Sequence, residues 1–420
     1  MEAFMENVDL KRIFRRVDAY RSAMIKLQKD LTAIPAIGPK AGGEGEAKKA
    51  AFLKKFLAKN GFGRVEELRA PDKSVSCKYR PNLLALIEGK DTSRKIWVMT
   101  HLDIVPPGAR NLWKTDPYKV AVKGGKLFGR GVEDNQQPLV SSIFAAKALL
   151  DLKIKPQNTL ALLFVADEET GSKLGLSYLI KKNLFGKNDI IIVPDGGNPE
   201  GSMIEVAEKS IMWLKFITCG KQAHGSRPDL AKNAHRAAAH LLLRLDKLFH
   251  KKYNAKDPLF TPPESTFEPT KKEANVENIN TIPGEDVFYF DCRVLPKYSV
   301  AKVLKLAKQT TSEIEKEFGL KVTIEPGQCQ QAAPPTPADS EVVRLLAKAV
   351  KKVYRVNATA QGIGGGTVAA ILRRAGYNAA VWARLDETAH QPNEYCKISN
   401  MVGDAKVLAC IFSGAAAVRE

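Results

Sequence analysis

Cysteine is scarce and scattered in this chain. Its six cysteines, Cys77, Cys219, Cys292, Cys329, Cys396 and Cys410, form no Cys-x-x-Cys pair. That spacing excludes a zinc ribbon and a dithiol redox motif, and it offers no disulfide framework. No apolar run approaches the ~18 residues that a membrane-spanning helix requires. The first residues carry Glu2, Glu6 and Asp9 and no apolar segment, so they do not read as a secretory signal. These absences lead us to expect a cytoplasmic protein without a membrane partner. A dense basic block is missing too. The net charge is +19, but the basic pairs (Lys54-Lys55, Lys181-Lys182, Lys271-Lys272, Lys351-Lys352) are dispersed and no aromatic platform lies between them. They read as solvated helix faces, and no nucleic-acid partner is expected. A positive field can still draw in an acidic substrate. Gly364-Gly365-Gly366-Thr367 lacks the Gly-Lys-Thr/Ser of a phosphate-binding loop. There is no internal repeat.

What is present is length and alternation. At 420 residues the chain can bury a large core and split into two domains. Residues 8–33 have helical spacing, as do 45–60, which stop at Asn60-Gly61. Apolar runs over 82–87, 160–165 and 190–193, and the run from Ile96 that ends in His101-Leu102-Asp103, read as strands, with a helix over 138–152. Strands alternating with helices predict an α/β domain with a mostly parallel sheet. The texture changes near Lys209. A strand over 211–218, a helix over 231–249, a long surface loop over 251–277, a strand over 287–294, a helix over 301–318 and a strand over 321–325 form a β-α-β-α-β set. We read this set as an inserted, smaller α+β unit. The linker 326–337, a helix over 340–354 and a strand over 379–382 then resume the α/β pattern. The expected division is therefore 1–209 and 329–420 for the catalytic domain and 210–328 for the insert.

Ligand-type residues follow the apolar runs. His101-Leu102-Asp103 ends one, Glu168-Glu169 follows the next, Asp195 follows 190–193, and His390 follows 379–382. Asp134 lies in a glycine-bearing turn that enters a helix. Each motif alone is ordinary: His-x-Asp is usually structural, a Glu-Glu pair is usually solvated, and Asp before Gly-Gly is usually a turn. Together they deliver acids and imidazoles to the carboxyl ends of several strands, where open α/β sheets bind ligands. Two imidazoles and three carboxylates suit a pair of zinc ions. Such ions, about 3.5–4 Å apart, need a shared carboxylate, and Asp134 is the natural bridge. Asp103 is placed to hold the second nitrogen of His101. Of Glu168 and Glu169, pointing opposite ways on extended chain, one can bind metal and the other can act as base.

The chain resembles the co-catalytic zinc family of aminoacylases, glutamate carboxypeptidases, acetylornithine deacetylases and succinyl-diaminopimelate desuccinylases. The resemblance runs through Thr100-His101-Leu102-Asp103, residues 129–135, Asp167-Glu168-Glu169-Thr170-Gly171 and Asp195-Gly196-Gly197. It continues through residues 224–228, 280–284, Asp291-Cys292-Arg293 and 387–394. It implies that His101 and Asp195 hold one zinc, that Glu169 and His390 hold the other, and that Asp134 bridges them. It further implies that Asp103 orients His101 and that Glu168 is the general base. The insert resembles the family's lid and dimerisation domain, which implies a homodimer. There a histidine matching His224 reaches the partner's site as an oxyanion donor. Arg293 and Asn280 match substrate-facing positions, and Gly365, Gly366 and Thr367 match a substrate-carboxylate loop. Cobalt or manganese would satisfy the same donors. The motif run looks nearest to the desuccinylase and deacetylase group, implying removal of a succinyl or acetyl group from an amino acid such as diaminopimelate or ornithine. Asp195 departs from this: deacylases and carboxypeptidases of the family often carry Glu there, and dipeptidases and aminopeptidases more often Asp. The alternative is therefore a dipeptidase, aminopeptidase or carboxypeptidase of the same family. A binding protein that kept the fold would have no need of Glu168.

Overall fold

The computed structural model describes residues 2–417. Among these residues the chain forms two compact units. One holds the chain up to Val206, Thr336–Ala360 and everything from Thr367 onward; the other holds Ala207–Pro335 with Gln361–Gly366.

The larger unit is built on a mixed sheet of eight strands. Their order is Val65–Pro71, Tyr79–Ile87, Asn158–Val165, Asp91–His101, Ile190–Asn198, Ala379–Arg384, Met203–Glu208 and Thr359–Ile363. The central four, from Asn158–Val165 to Ala379–Arg384, run parallel, as the apolar runs alternating with helices predict. The flanking pairings to Val65–Pro71, Tyr79–Ile87 and Met203–Glu208 are antiparallel. Helix Gln136–Asp151 packs against Ile398–Phe412. The second helix is buried on nearly every side, so it has no polar face and no amphipathic period to betray it. The single helix expected over 8–33 is two, Glu2–Ala19 and Arg21–Thr32. The break falls at Tyr20, whose hydroxyl donates to Asp151 at 2.5 Å.

The smaller unit is a four-stranded antiparallel sheet, ordered Thr266–Lys272, Glu285–Val294, Ser210–Cys219, Lys321–Gln330. Helices Ala234–Lys252 and Val300–Phe318 cover one face and share a core with Phe216, Phe288 and Phe290. Strand Thr266–Lys272 lies inside the expected surface loop, so the set is β-α-β-β-α-β. Its lysines and Pro269 disguise it. Proline is tolerated because this is an edge strand, and the register slips between Pro269 and Lys271. Phe267 is the anchor: it is fully buried and stacks on Phe249 with ring centroids 4.9 Å apart. Phe267→Ala is expected to destabilise the protein by about 3–5 kcal/mol, the usual cost of emptying a buried aromatic site. Urea unfolding of the variant checks this, and a loss under about 0.5 kcal/mol, the surface-site range, would restore the loop reading.

Candidate metal centre

Four adjacent parallel strands deliver the site. His101 is the last residue of Asp91–His101, and Asp195 lies within Ile190–Asn198. The turn Glu168–Thr170 follows Asn158–Val165, and His390 sits in the loop after Ala379–Arg384. Asp134 comes from the turn before helix Gln136–Asp151. Gly131 makes that turn possible. Its φ is +85°, and a Cβ there would stand 2.6 Å from Ile104 Cγ2. Asp195 is not in a turn, as an Asp-Gly-Gly sequence would suggest. The strand continues because a Cβ on Gly197 would fall 1.8 Å from the Ala383 carbonyl oxygen of the neighbouring strand.

Asp134 is the centre of the geometry. Its Oδ1 lies 2.9 Å from His101 Nε2, and its Oδ2 lies 3.1 Å from His390 Nε2. His101 Nε2 is also 3.4 Å from Asp195 Oδ1, and His390 Nε2 is 3.0 Å from Glu169 Oε2. One carboxylate thus divides two imidazole–carboxylate sets. Ligand atoms of His101, Glu168 and Asp195 lie within 4.8 Å of one another, and so do those of His101, Asp134 and Glu169. Asn135 steadies the first set by donating from Nδ2 to Asp195 Oδ1 at 2.6 Å.

Two details differ from what the sequence led us to expect. His101 Nδ1 is 3.0 Å from the backbone carbonyl of Asp103, and the Asp103 carboxylate is farther, at 3.5 Å. The carbonyl is therefore the closer partner, and it still leaves Nε2 facing Asp134 and Asp195. The Asp103 carboxylate is taken up elsewhere: its two oxygens accept the backbone N–H of Glu168 and of Glu169, each at 3.1 Å. These glutamates accordingly lie on a helical turn and not on extended chain. Asp167, at φ +61°, starts that turn. Its N–H donates to Glu46 at 3.2 Å, and Glu46 is fixed in a buried ion pair with Arg80.

Two buried glutamates to which the sequence alone assigns no role complete the setting. Glu394 accepts N–H bonds from Gly131, Glu133 and Asp134 at 2.8, 2.9 and 3.1 Å, and one from Arg130 at 2.7 Å. Glu133 accepts from Asp386 N, Thr388 N and Thr388 Oγ1 at 2.6, 2.5 and 2.7 Å. Their partners lie more than 250 residues away, so no local pattern could have assigned them.

Residues 97–413 match peptidase family M20/M25/M40. This chain belongs to that family. It is 41% identical over 412 residues to an uncharacterised metallohydrolase of Methanococcus maripaludis, covering 91% of this chain and 97% of that one. It is 26% identical over 399 residues to the succinyl-diaminopimelate desuccinylase of Pelagibacter ubique, covering 93% and 97%. In fold it is similar to the aminopeptidase PepT of Bacillus cereus, with a TM-score of 0.74, 19% identity and coverage of 94% and 98%. The protein is a metal-dependent hydrolase.

The donor set fits divalent metal on geometric and electrostatic grounds. Asp134, Glu168, Glu169 and Asp195 crowd together, and among the described residues imidazoles, not Lys or Arg, approach them. Burial raises Glu168 well above the usual carboxylate range, and Asp195 beside it adds to the shift. Burial likewise raises Glu169 and Asp195. Burial alone would lower His101, but Asp195, Asp103 and Asp134 outweigh it and hold the imidazole well above its ordinary range. Hydrogen bonds to Asp134 and then Glu169 lift His390 to about 10. The crowded carboxylates raise both imidazoles because they favour positive charge beside them, and a divalent ion meets the same demand.

The other residues singled out in the sequence divide between the two units. His224, Asn280, Arg293, Gly365 and Gly366 belong to the smaller unit, and Thr367 to the larger. His224 is exposed, with Nδ1 2.8 Å from Ser226 Oγ. The Asn280 carbonyl accepts the Gly225 N–H at 2.6 Å. The Arg293 fork is engaged within its own strand: Nε and Nη2 donate to the two oxygens of Asp291 at 2.6 and 3.0 Å. Its Nη1 donates to the Gly364 carbonyl at 3.0 Å. Thr367 Oγ1 donates to Glu205 at 3.3 Å.

Metal and protons compete for this site, and the sign follows from the shifts. Below its raised value His390 is protonated and must shed that proton to bind an ion. Affinity for zinc should therefore climb as pH rises through neutrality, with protons released on binding there. Calorimetry in two buffers of different ionisation enthalpy measures the release. Binding without proton release would contradict the assignment.

Proposed function

We propose that the protein is a two-metal amidohydrolase that removes a succinyl or acetyl group from an N-acylated amino acid, diaminopimelate and ornithine being the first substrates to try. The observation that carries the reading is the division of the two Asp134 oxygens between His101 with Asp195 on one side and His390 with Glu169 on the other. His101 and Asp195 would hold one zinc ion, Glu169 and His390 a second, and Asp134 both. Zinc held there would supply a bridging water acidic enough to ionise near neutral pH and a Lewis acid for the amide carbonyl.

The chain's own groups do the rest. Glu168 stands beside the His101–Asp195 set, and its raised pKa suits it to hold a proton. It takes the proton of the attacking water and passes it to the leaving amine. Asp103 fixes Glu168 and Glu169 through their backbone N–H groups, so the base and a ligand are aimed together. In a homodimer of the kind the resemblance implies, the partner's His224 would donate to the oxyanion. Arg293, Asn280, Gly365, Gly366 and Thr367 would meet the substrate.

A second reading, a dipeptidase or aminopeptidase, has two observations in its favour. Position 195 is Asp, and the Arg293 fork is already closed on Asp291, which weakens its claim on an acidic acyl group. The zinc-loaded protein should therefore be assayed on N-succinyl-diaminopimelate, N-acetylornithine, N-acetylmethionine and dipeptides, each with a chelator control. Chelator-sensitive cleavage of the acylated diamino acids supports the first reading, and cleavage of dipeptides alone the second. Glu168→Ala is expected to keep its metal and lose at least ~100-fold in kcat. Unchanged turnover in that variant would remove Glu168 from the reaction. Arg293→Ala should raise KM more for succinylated than for acetylated substrates, and equal effects would end its role as a carboxylate clamp.

A further inference from the structure

We propose that Glu133 and Glu394 are positioning residues that clasp the two metal-bearing loops to each other, with Glu133 governing the His390 side alone and Glu394 governing both sides. The proposal rests on the two-ion reading above.

The loop that carries His390 has a backbone that needs holding. Glu387, His390 and Asn393 all have positive φ, at 59°, 63° and 62°. None is glycine, and three such residues within seven positions persist only where their surroundings over-determine them. Asn393 is tied at both ends of its amide, accepting from Lys114 N at 2.7 Å and donating to the Leu112 carbonyl at 2.8 Å. The start of the loop is tied by Glu133. Its carboxylate is buried and accepts from the N–H of Asp386 and from the N–H and hydroxyl of Thr388. The Thr388 oxygen also accepts the Tyr395 N–H at 3.1 Å, which closes the loop on itself. A buried carboxylate whose work is to accept backbone donors from one remote loop is a device for fixing that loop.

Glu394 makes the opposite connection. It lies at the far end of the His390 loop and gathers the N–H groups of Gly131, Glu133 and Asp134. Strand Tyr395–Lys397 pairs with Lys126–Phe128, so the two segments are also laced by backbone just outside the clasp. Each loop therefore sends one carboxylate into the backbone of the other. The consequence differs for the two glutamates. Glu394 holds Asp134, which both ions would share. Glu133 reaches only the loop of His390. His101, Asp195 and Asn135 are joined to each other without it.

The test is zinc binding, read by calorimetry and by metal content after dialysis. Glu133→Gln should weaken one of two zinc equivalents by about 10–100-fold, the usual cost of losing a group that orients a ligand, and leave the other within about threefold. Glu394→Gln should weaken both. Because Glu133 acts through His390, the double variant Glu133→Gln/His390→Ala should bind zinc no more weakly than His390→Ala alone. If Glu133→Gln does not fold, Thr388→Val removes one donor to the same carboxylate and should show a smaller loss at the same equivalent. Equal weakening of both equivalents by Glu133→Gln, or additive losses in the double variant, would overturn the clasp. A wild-type titration that stops at one equivalent overturns the two-ion reading instead, and the clasp's division of labour with it.

Discussion

One carboxylate sets the spacing of the whole centre. Asp134 is half-buried among Asp195, Glu168 and Glu169, and like charges so placed cannot coexist without cations between them. Hydrogen bonds from His101 and His390 more than offset the burial of Asp134 and hold its pKa below the usual carboxylate range. Because the two imidazoles take different oxygens, the turn that carries Asp134, the end of Asp91–His101 and the loop after Ala379–Arg384 must meet within a few hydrogen-bond lengths. The parallel order of the central strands is what brings those three segments to one end of the sheet.

Much of that arrangement was legible in the sequence because each central strand carries a short uninterrupted apolar run, such as Leu160–Val165 and Ile190–Val193. Their ends are abrupt, so His101, Glu168, Glu169, Asp195 and His390 stand out as polar groups at equivalent places, and the structure brings them together with Asp134. The rest was hidden for identifiable reasons. Glu168 and Glu169 read as extended chain because nothing nearby in sequence shows that Asp103, some 65 residues earlier, collects both of their N–H groups. Glu133 and Glu394 lie inside motifs but drew no role, since their partners are backbone groups more than 250 residues distant. Strand Thr266–Lys272 was masked by Pro269 and its lysines, which an edge accepts and an interior strand would not. Helix Ile398–Phe412 was masked by the opposite property, burial all round.

The centre is also where the backbone departs from ordinary conformations. Asp167 and His390 both occupy the left-handed region, one starting the turn of Glu168 and Glu169 and the other setting its imidazole against Asp134. Such residues cost free energy and need compensation from their surroundings. For Asp167 it comes from Glu46, itself locked to Arg80 in the interior. A buried pair of that kind is weak evidence of stability, because desolvation consumes most of its attraction. Its value here is directional: the Arg80 guanidinium fixes Glu46, Glu46 fixes the Asp167 N–H, and the next two residues are the glutamates of the centre. The polar interior of this unit is better understood as a set of such directional ties than as a source of stability.

The smaller unit raises the question of what lies at the other end of the substrate. If Arg293 grips it, as the resemblance implies, the substrate must share that guanidinium with Asp291. The Asp291 carboxylate is doubly employed, for its Oδ2 also accepts Trp213 Nε1 at 3.1 Å. An acidic acyl group would have to displace a carboxylate that already holds two N–H bonds from Arg293 in good geometry. A neutral carbonyl would need only one of the N–H groups that Asp291 and Gly364 leave over. Exposed Trp213, fixed beside the fork through the same carboxylate, offers an apolar surface and no further charge. Were Arg293 to meet substrate in this way, its cation would be largely spent within the protein, and the choice between acidic and neutral substrates would turn on Asp291 as much as on Arg293.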